Sequence, residues 1–580
     1  MKTWTLDQAL ERAAGRRGCG LRFLDRRERE EWFGWGELRR RAAAVAGGLA
    51  EVGVRRRERV VLIYPTGRAF FEAFFGVLLA GAVPVPLYPP VRLGRLAEYQ
   101  RRTGAMLRAA GAQLVLAERR VRRLLGEVLA LAPPRLGCWT LEALPAGDPP
   151  PVETRPEDLA LVQFSSGTTF DPKPVALSHR AVMAQARALN SFWPERSGLQ
   201  QTGVSWLPLY HDMGLIGCVF PALERPSVLT LIPPELFVAR PAVWLRALSR
   251  YRATVSPAPN FAYGLCLAKI RDEELEGVDL SEWRVALNGA EPVAATVLRS
   301  FAERFGRWGL RAEAITPVYG LSEAALAVTF SAIDRPFVSH RFSRQALARE
   351  GRVVVEAAGI ELVSVGRPIP GFELQVRDAD GRPLAEGRVG RVWTRGPSLM
   401  EGYLDQPEAT SRVLQGGWLD TGDLGFLYQG ELYLKGRAKD LILVRGSNHA
   451  PQEIEMPVNE LAAVRTGCVA AVSHLPEGGE REEVLLFVER SRRATSSQAA
   501  RLPRACRERV LGRTGIALDR VLVLEPGTLP RTSSGKIRRQ EALRRHLEGE
   551  LKPPERMTAV SLARTMGRSA QAFARQRQEP

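Results

Sequence analysis

Between residues 59 and 326, short apolar runs take turns with helical patterns. RVVLIYPTG (59–67) is a buried run that ends in a turn. FFEAFFGVLLAGAVPVPLYPP continues it as an apolar helix, a short strand and a proline stop, and AQLVLAE (112–118) repeats the strand signal. LALVQFSS, GVSWLPLYHDMG, PSVLTLIPP, ATVSPAPNF, WRVALNGAEP and AEAITPVYGLSEAA follow in the same manner. A strand that is apolar on both faces needs cover on both faces, and helices returning between strands supply it. The alternation therefore predicts an α/β fold of parallel sheets covered by helices.

The 580 residues exceed what one core usually serves, so further units are expected. Residues 5–55 read as helical, with Leu6 and Leu10, then Leu38, Ala42, Val45 and Leu49 at helical spacing. Near residue 365 the texture changes to period-two runs with Gly-containing turns, which predicts a small antiparallel β subdomain over 366–439. Residues 440–550 read as a compact α+β C-terminal domain, leaving 1–365 as the core of the N-terminal domain. The basic stretch 551–580 lacks β signals. Met557, Val560, Leu562, Met566 and Phe573 can line one helix face there, and a solvated tail is the expectation.

The net charge of +18 would by itself prompt a nucleic-acid reading. The cations, however, are scattered among acids, as in DRREREEW and RDEELEG, and form no stripe with interleaved aromatics. No nucleic-acid partner is expected. Lysine is rare, occurring only as Lys2, Lys173, Lys269, Lys435, Lys439, Lys536 and Lys552. Where arginine is the default cation, each lysine marks a place where a compact ammonium and a planar fork are not interchangeable. The six cysteines show no metal spacing and suit reduced thiols in a cytosol. The N-terminus lacks a secretory h-region, and the apolar stretch 73–83 is too short for a bilayer, so no transmembrane segment and a cytoplasmic location are expected.

The run FSSGTTFDPKPVALSH (164–179) packs hydroxylated residues and a glycine between two buried-looking strands. Such a loop can be an ordinary Ser/Thr turn, or it can offer N–H and O–H donors to a polyphosphate. The common nucleotide and hydrolase motifs are absent: no GxxxxGK[ST], no strand-linked GxGxxG, no HExxH and no GxSxG. What remains is an ordered set: the loop, then PLYHDMGLIG (208–217), NGAEP (288–292), VYGLSEAAL (318–326), WLDTGDLG (418–425), GRAKDLILVRGSNHAPQEIE (436–455) and LPRTSSGKIRR (529–539). In this order the set resembles the adenylate-forming superfamily of acyl and aryl ligases. VPLYPP, PLYHDMGLIG and VRGSNHAPQEIE are most similar to the fatty acyl-AMP ligases.

That resemblance implies a large N-terminal domain with a small, mobile C-terminal lid, and a fatty acid activated with ATP and Mg²⁺. Ser165, Ser166, Gly167, Thr168 and Thr169 would grip the leaving phosphates, and Glu323 would hold the metal. Asn288, Gly289, Ala290, Tyr319, Gly320 and Ser322 would surround the nucleotide, with Tyr319 stacked on the base. Asp423 would accept the ribose hydroxyls and Arg437 would support it. Lys536 would bridge the carboxylate and the α-phosphate, which a mobile point charge can do and a rigid fork cannot. His211 would line the carboxylate end of the acyl pocket, or be structural. Met213, Phe220 and Phe261 would wall that pocket or be core. Phe170, Asp171 and Pro174 depart from the family's small, glycine-rich loop, which leaves Lys173 without a clear phosphate role.

Residues 331–365 stand where the acyl-AMP ligases carry an insertion that restrains the lid, whose hinge candidate is Asp440. The resemblance thus implies acyl transfer to an acyl carrier protein, or a carrier domain of a polyketide or peptide synthase, not to free CoA. An arginine-rich surface would attract acidic carriers. Two alternatives stay open at this point: a long-chain acyl-CoA ligase, and a non-catalytic acyl- or nucleotide-binding relative.

Overall fold

The computed structural model describes residues 4–90, 93–165, 172–193, 201–444, 447–476, 481–532, 535–554 and 558–576. Two sheets with parallel cores dominate its N-terminal part. The larger runs, in spatial order, through strands Arg367–Pro368, Ala327–Phe330, Ile315–Gly320, Val285–Gly289, Val255–Pro259, Thr202–Ser205, Val228–Leu231, Gly20–Leu24 and Glu30–Gly34. Its six central strands are all parallel. The smaller sheet orders Val83–Leu87, Arg59–Ile63, Leu114–Ala117 and Cys138–Trp139, again all parallel. Helix Arg68–Leu79 buries Phe70, Phe71, Phe74 and Phe75 together. Apart from Arg68 and Glu72, which pair with Glu37 and Arg41, it is apolar and lies inside the domain, and each buried phenylalanine contributes roughly 1.5–3 kcal/mol.

The helical reading of 5–55 holds for Leu6–Ala14 and Trp35–Glu51 but fails between them. Gly20–Leu24 and Glu30–Gly34 form an antiparallel hairpin at the sheet edge. The charged run that looked helical is a turn, in which Asp25 Oδ1 accepts the N–H groups of Arg27 (2.7 Å) and Arg29 (2.9 Å). Leu21 pairs with Phe33 across the hairpin, and both are buried, which is period two and not 3.6.

Between residues 366 and 439 the strands are antiparallel. Glu373–Arg377, Gly390–Arg395, Trp418–Tyr428 and Glu431–Arg437 form a meander with the short Leu414–Gln415 at its edge. The C-terminal part has its own three-stranded sheet of Val464–His474, Glu483–Arg490 and Arg520–Leu524. Helices Pro451–Asn459 and Ser496–Thr514 cover one face through Ile454, Leu502, Cys506 and Val510. Helix Arg539–Leu547 covers the other through Ala542 and Leu543. The stretch expected as a solvated tail instead forms helix Ala559–Gln576, which packs on helix Gly126–Leu131 of the N-terminal part. No helix among the described residues is long and apolar enough to cross a membrane.

Candidate active site

Loops leaving the carboxyl ends of four parallel strands of the large sheet meet over one cleft of about 2330 Å³. Strand Thr202–Ser205 leads to His211, Val255–Pro259 to Asn260, Val285–Gly289 to Ala290 and Glu291, and Ile315–Gly320 to Ser322 and Glu323. This end of a parallel sheet is where α/β folds bind ligands. The antiparallel subdomain adds Asp423 and Arg437 from one side, and the C-terminal part adds Lys536 from above.

The pair expected on the ribose side, Asp423 with Arg437, is in contact. Asp423 Oδ2 accepts the Tyr319 hydroxyl at 2.7 Å, and Arg437 Nε lies 3.1 Å from Asp423 Oδ1. Adjacent strands Trp418–Tyr428 and Glu431–Arg437 put Asp423 directly opposite Arg437. Burial, then the Asp423 charge, hold the Tyr319 hydroxyl well above the usual phenol range. The carboxylate raises the Arg437 guanidinium further. Tyr319, Gly320, Ser322 and Ala290 line the cleft, whereas Asn288 and Gly289 do not: Asn288 is fully buried behind it, its Nδ2 donating to Asn260 Oδ1. Gly320 has a steric reason. A Cβ there would lie 1.8 Å from the Leu326 carbonyl oxygen, so only glycine lets the chain turn back and pair Ile315–Gly320 with Ala327–Phe330. Ala290 (φ 68°) and Ala325 (φ 63°), on either side of this strand, hold left-handed backbone that costs about 1 kcal/mol or more each.

Next to this pair sits a buried hub that the sequence reading passed over. Asp212 accepts from Met213 N (2.7 Å) and from Ser322 Oγ, and its Oδ1 lies 2.8 Å from His211 Nδ1. Burial alone would raise its carboxyl. The His211 ring, the Ser322 hydroxyl and the Lys536 ammonium overcome that and hold it at about 2. His211 lines the cleft, and its other nitrogen, Nε2, is buried with no hydrogen-bond partner among the described residues. Burial lowers Lys536 most, against attraction from Asp212, Glu291 and Asp423, and Arg437 lowers it further. Glu291 takes the Phe261 N–H, and its carboxyl is raised by burial. Met213 and Phe261 face the cleft, but Phe220 is fully buried against Phe74 and walls nothing.

Glu323 also lines the cleft, where its Oε1 accepts the Tyr403 hydroxyl at 2.9 Å. The Lys173 ammonium lies 4.3 Å from the centre of the Tyr403 ring. Ser165 N donates to the Lys173 carbonyl at 2.9 Å, closing the base of the hydroxyl-rich loop. Ser166, Gly167, Thr168 and Thr169, with Phe170 and Asp171, fall outside the described residues. Among the described residues, no group of three or more His, Cys, Asp or Glu side chains could hold a metal ion by itself. Among the described residues only Tyr403 is bonded to the Glu323 carboxylate, which fits a hard cation whose other ligands are phosphate oxygens.

The 331–365 stretch forms a hairpin, Ser339–Phe342 with Ile360–Val363, anchored by Phe342 among Phe426, Tyr428 and Tyr433. It reaches across to the C-terminal part, where Arg349 Nε donates to Ser447 Oγ at 2.9 Å. Asp440 is buried in a single 3₁₀ turn, Ala438–Asp440, between the two parts. Asp212, Glu291 and Tyr403 were thus the residues missed. The first two stood inside motifs already singled out. Tyr403 stood in a stretch with no chemical signature, 80 residues from the glutamate it meets.

A family model described as AMP-binding enzyme matches residues 10–404. A Caulobacter vibrioides (strain NA1000 / CB15N) protein provisionally named acyl-CoA synthetase is 36% identical over 94% of this chain and 96% of its own. The medium-chain-fatty-acid–[acyl-carrier-protein] ligase JamA of Moorena producens (strain JHB) is 34% identical over 91% of this chain and 92% of its own. Among solved structures, a chain from a study of fatty acyl-adenylate ligases of E. coli and L. pneumophila superposes with a TM-score of 0.88. It is 34% identical over 94% of this chain and 98% of that one.

Proposed function

Because the chain belongs to the AMP-binding enzymes, we propose that it activates a fatty acid with ATP and hands the acyl group to a carrier protein. In the first step a fatty carboxylate oxygen attacks the α-phosphorus of ATP. The bond from that phosphorus to the bridging oxygen breaks, and pyrophosphate leaves with the electron pair. In the second, a carrier phosphopantetheine thiolate attacks the acyl carbon and AMP leaves. Both steps bring anions together, so positioning and charge neutralisation carry the catalysis.

The observation that carries this reading is the convergence of Lys536 with Asp423, Arg437 and Glu323 on one cleft although they come from separate parts of the chain. Lys536 would neutralise the charge shared by the carboxylate and the α-phosphate. Asp423 has two carboxylate oxygens with about four acceptor sites, and Tyr319 and Arg437 use two of them, which leaves room for two ribose hydroxyls. Glu323 would hold Mg²⁺, whose chemistry is to neutralise the β- and γ-phosphate oxygens. His211 Nε2 would meet the fatty carboxylate, with Met213 and Phe261 on the acyl side. The 331–365 hairpin, bonded to Ser447, would hold the lid against CoA-type transfer.

The test is pyrophosphate release from ATP with saturated fatty acids of graded length, followed by acyl transfer with holo-carrier protein or CoA as acceptor. Pyrophosphate release and preference for the carrier are expected. Release with no fatty acid tested would overturn the reading, and equal transfer to CoA would favour an acyl-CoA ligase.

A further inference from the structure

Helix Ala559–Gln576 lies beyond the small domain in sequence yet docks on the large one. Its docked face carries the buried Thr565 and Ser569, flanked at helical spacing by the half-buried Leu562, Met566 and Phe573. Ser569 is fully buried, and its Oγ accepts the Gly126 N–H at 2.7 Å. That N–H opens helix Gly126–Leu131 and has no partner within it, so the distant serine caps it. Arg568 pairs with Glu127 at 3.0 Å, and the Arg122 guanidinium lies 4.6 Å from the Phe573 ring centre. The fit is close. A Cβ on Gly126 would sit 2.2 Å from the Ser569 carbonyl oxygen.

The chain on the other side of this helix is held by the small domain. Leu551 packs into that domain's core, and Pro554 lies against Gly527, where a Cβ would be 3.4 Å from the proline ring. Helix Ala559–Gln576 starts at Thr558, which exchanges hydrogen bonds with Ser561. Pro554 and Thr558 are four Cα steps apart, so their separation cannot exceed roughly 14 Å. Close by, the small domain touches helix Leu96–Ala109: Arg545 pairs with Glu98 at 2.7 Å, and Arg95 Nη2 donates to the Gly527 and Thr528 carbonyls at 2.8 Å.

We propose that the docked C-terminal helix is a strap, with Gly126 and Ser569 as positioning residues that act through the tethered domain to keep Lys536 in the cleft. This rests on the role given to Lys536 above. A rotation of the lid about Asp440 that carries Pro554 more than the tether's reach from Thr558 must first pull the helix off Gly126. The docked helix therefore favours adenylate formation, and its release favours the transfer pose.

The test uses the full chain with Gly126→Ala, Ser569→Asp and Arg568→Glu, and Gly306→Ala as a control at a position open to a Cβ. Gly126 starts a helix, so alanine is acceptable locally and clashes only with the strap. Hydrogen exchange at 438–444 should rise about tenfold in the first three variants and not in the control. First-turnover pyrophosphate release should fall about three- to tenfold at unchanged KM for ATP, while discharge of preformed acyl-adenylate to the carrier thiol rises. Unchanged exchange at 438–444 with an unchanged ratio of the two rates would overturn the strap. Should Gly126→Ala fail to fold, Ser569→Asp carries the test, because it alters only the docked helix. If the wild type releases no pyrophosphate, the functional reading fails, and the exchange measurement alone then decides the strap.

Discussion

Replacing Asp212 with asparagine isolates one charge at the centre of the cleft. The shape is retained: the amide oxygen still accepts from Met213 N, and the amide N–H₂ can face Ser322, whose hydroxyl accepts as readily as it donates. What is lost is the carboxylate that His211, Ser322 and Lys536 hold at about 2 against an ordinary value of 3.8. That difference corresponds to about 2 kcal/mol of native-state stabilisation at pH 7. The sign follows from the lowered value. The stabilisation is complete above about pH 4 to 5, is roughly half gone at pH 3, and disappears as the pH falls through the folded value near 2. A chain of several units does not unfold in two states, so a global midpoint is the wrong readout. Amide exchange of residues 213–219, whose first N–H bonds Asp212, reads the local opening. The variant should exchange some 30-fold faster there at pH 7, and the ratio should shrink as the pH is lowered towards 3. Removing this attraction also lowers Lys536 further, so the alkaline limb of pyrophosphate release should move to lower pH. Equal exchange in the two proteins at pH 7, or a ratio that does not change down to pH 3, would refute the argument.

Lys536→Ala should lower pyrophosphate release by about 10²-fold or more with the far-UV spectrum unchanged, and Lys536→Arg should not restore it, because a planar fork cannot take the place of a mobile ammonium. Asp423→Asn should raise the KM for ATP about tenfold per ribose hydrogen bond lost and erase discrimination between ATP and 2′-deoxy-ATP, measured in the same assay. Gly320→Ala should lower expression and thermal stability together, because its Cβ has nowhere to go but into the Leu326 carbonyl; a wild-type melting curve would show that the turn can open at little cost.

The fold was legible where burial acts on short runs. RVVLI and FFEAFFGVLL announce a covered strand and an enclosed helix without help from distant residues. It was illegible at Gly20–Gly34, where the charged turn DRRERE masks two strands whose apolar residues pair only across the hairpin. It was illegible again at the C-terminus. Leu562, Met566 and Phe573 form a weak stripe, and what fixes the helix is a glycine more than 400 residues away. The site divides in the same way. Asp423 and Glu323, named from their motifs, line the cleft, whereas Asp212 and Glu291 line it from inside motifs that gave no reason to single them out. Tyr403 was not findable, because a tyrosine's use for its hydroxyl depends on which carboxylate the fold brings to it. The hydroxyl-rich loop's Ser165 sits at the cleft, and Lys173 has its ammonium on the Tyr403 ring beside Glu323, so the lysine that the altered loop put in question has a cleft-side contact after all.

Before any substrate arrives, three acids at the centre of the cleft already have partners. Asp423 has Tyr319 and Arg437, Glu323 has Tyr403, and Asp212 has His211 and Ser322. Such pairing keeps these carboxylates aimed, so little reorganisation remains for the moment of reaction. For the Lys536 ammonium, burial is the largest influence and works against its charge, while Asp212, Glu291 and Asp423 attract it. In a cleft holding ATP and a fatty acid, the triphosphate and the carboxylate would add negative charge next to that ammonium, and the protonated form would gain what burial takes away. A cation stabilised by the substrates themselves contributes most when both are in place. The arginine-rich chain keeps a lysine at that position, on the C-terminal part, where it lines the cleft.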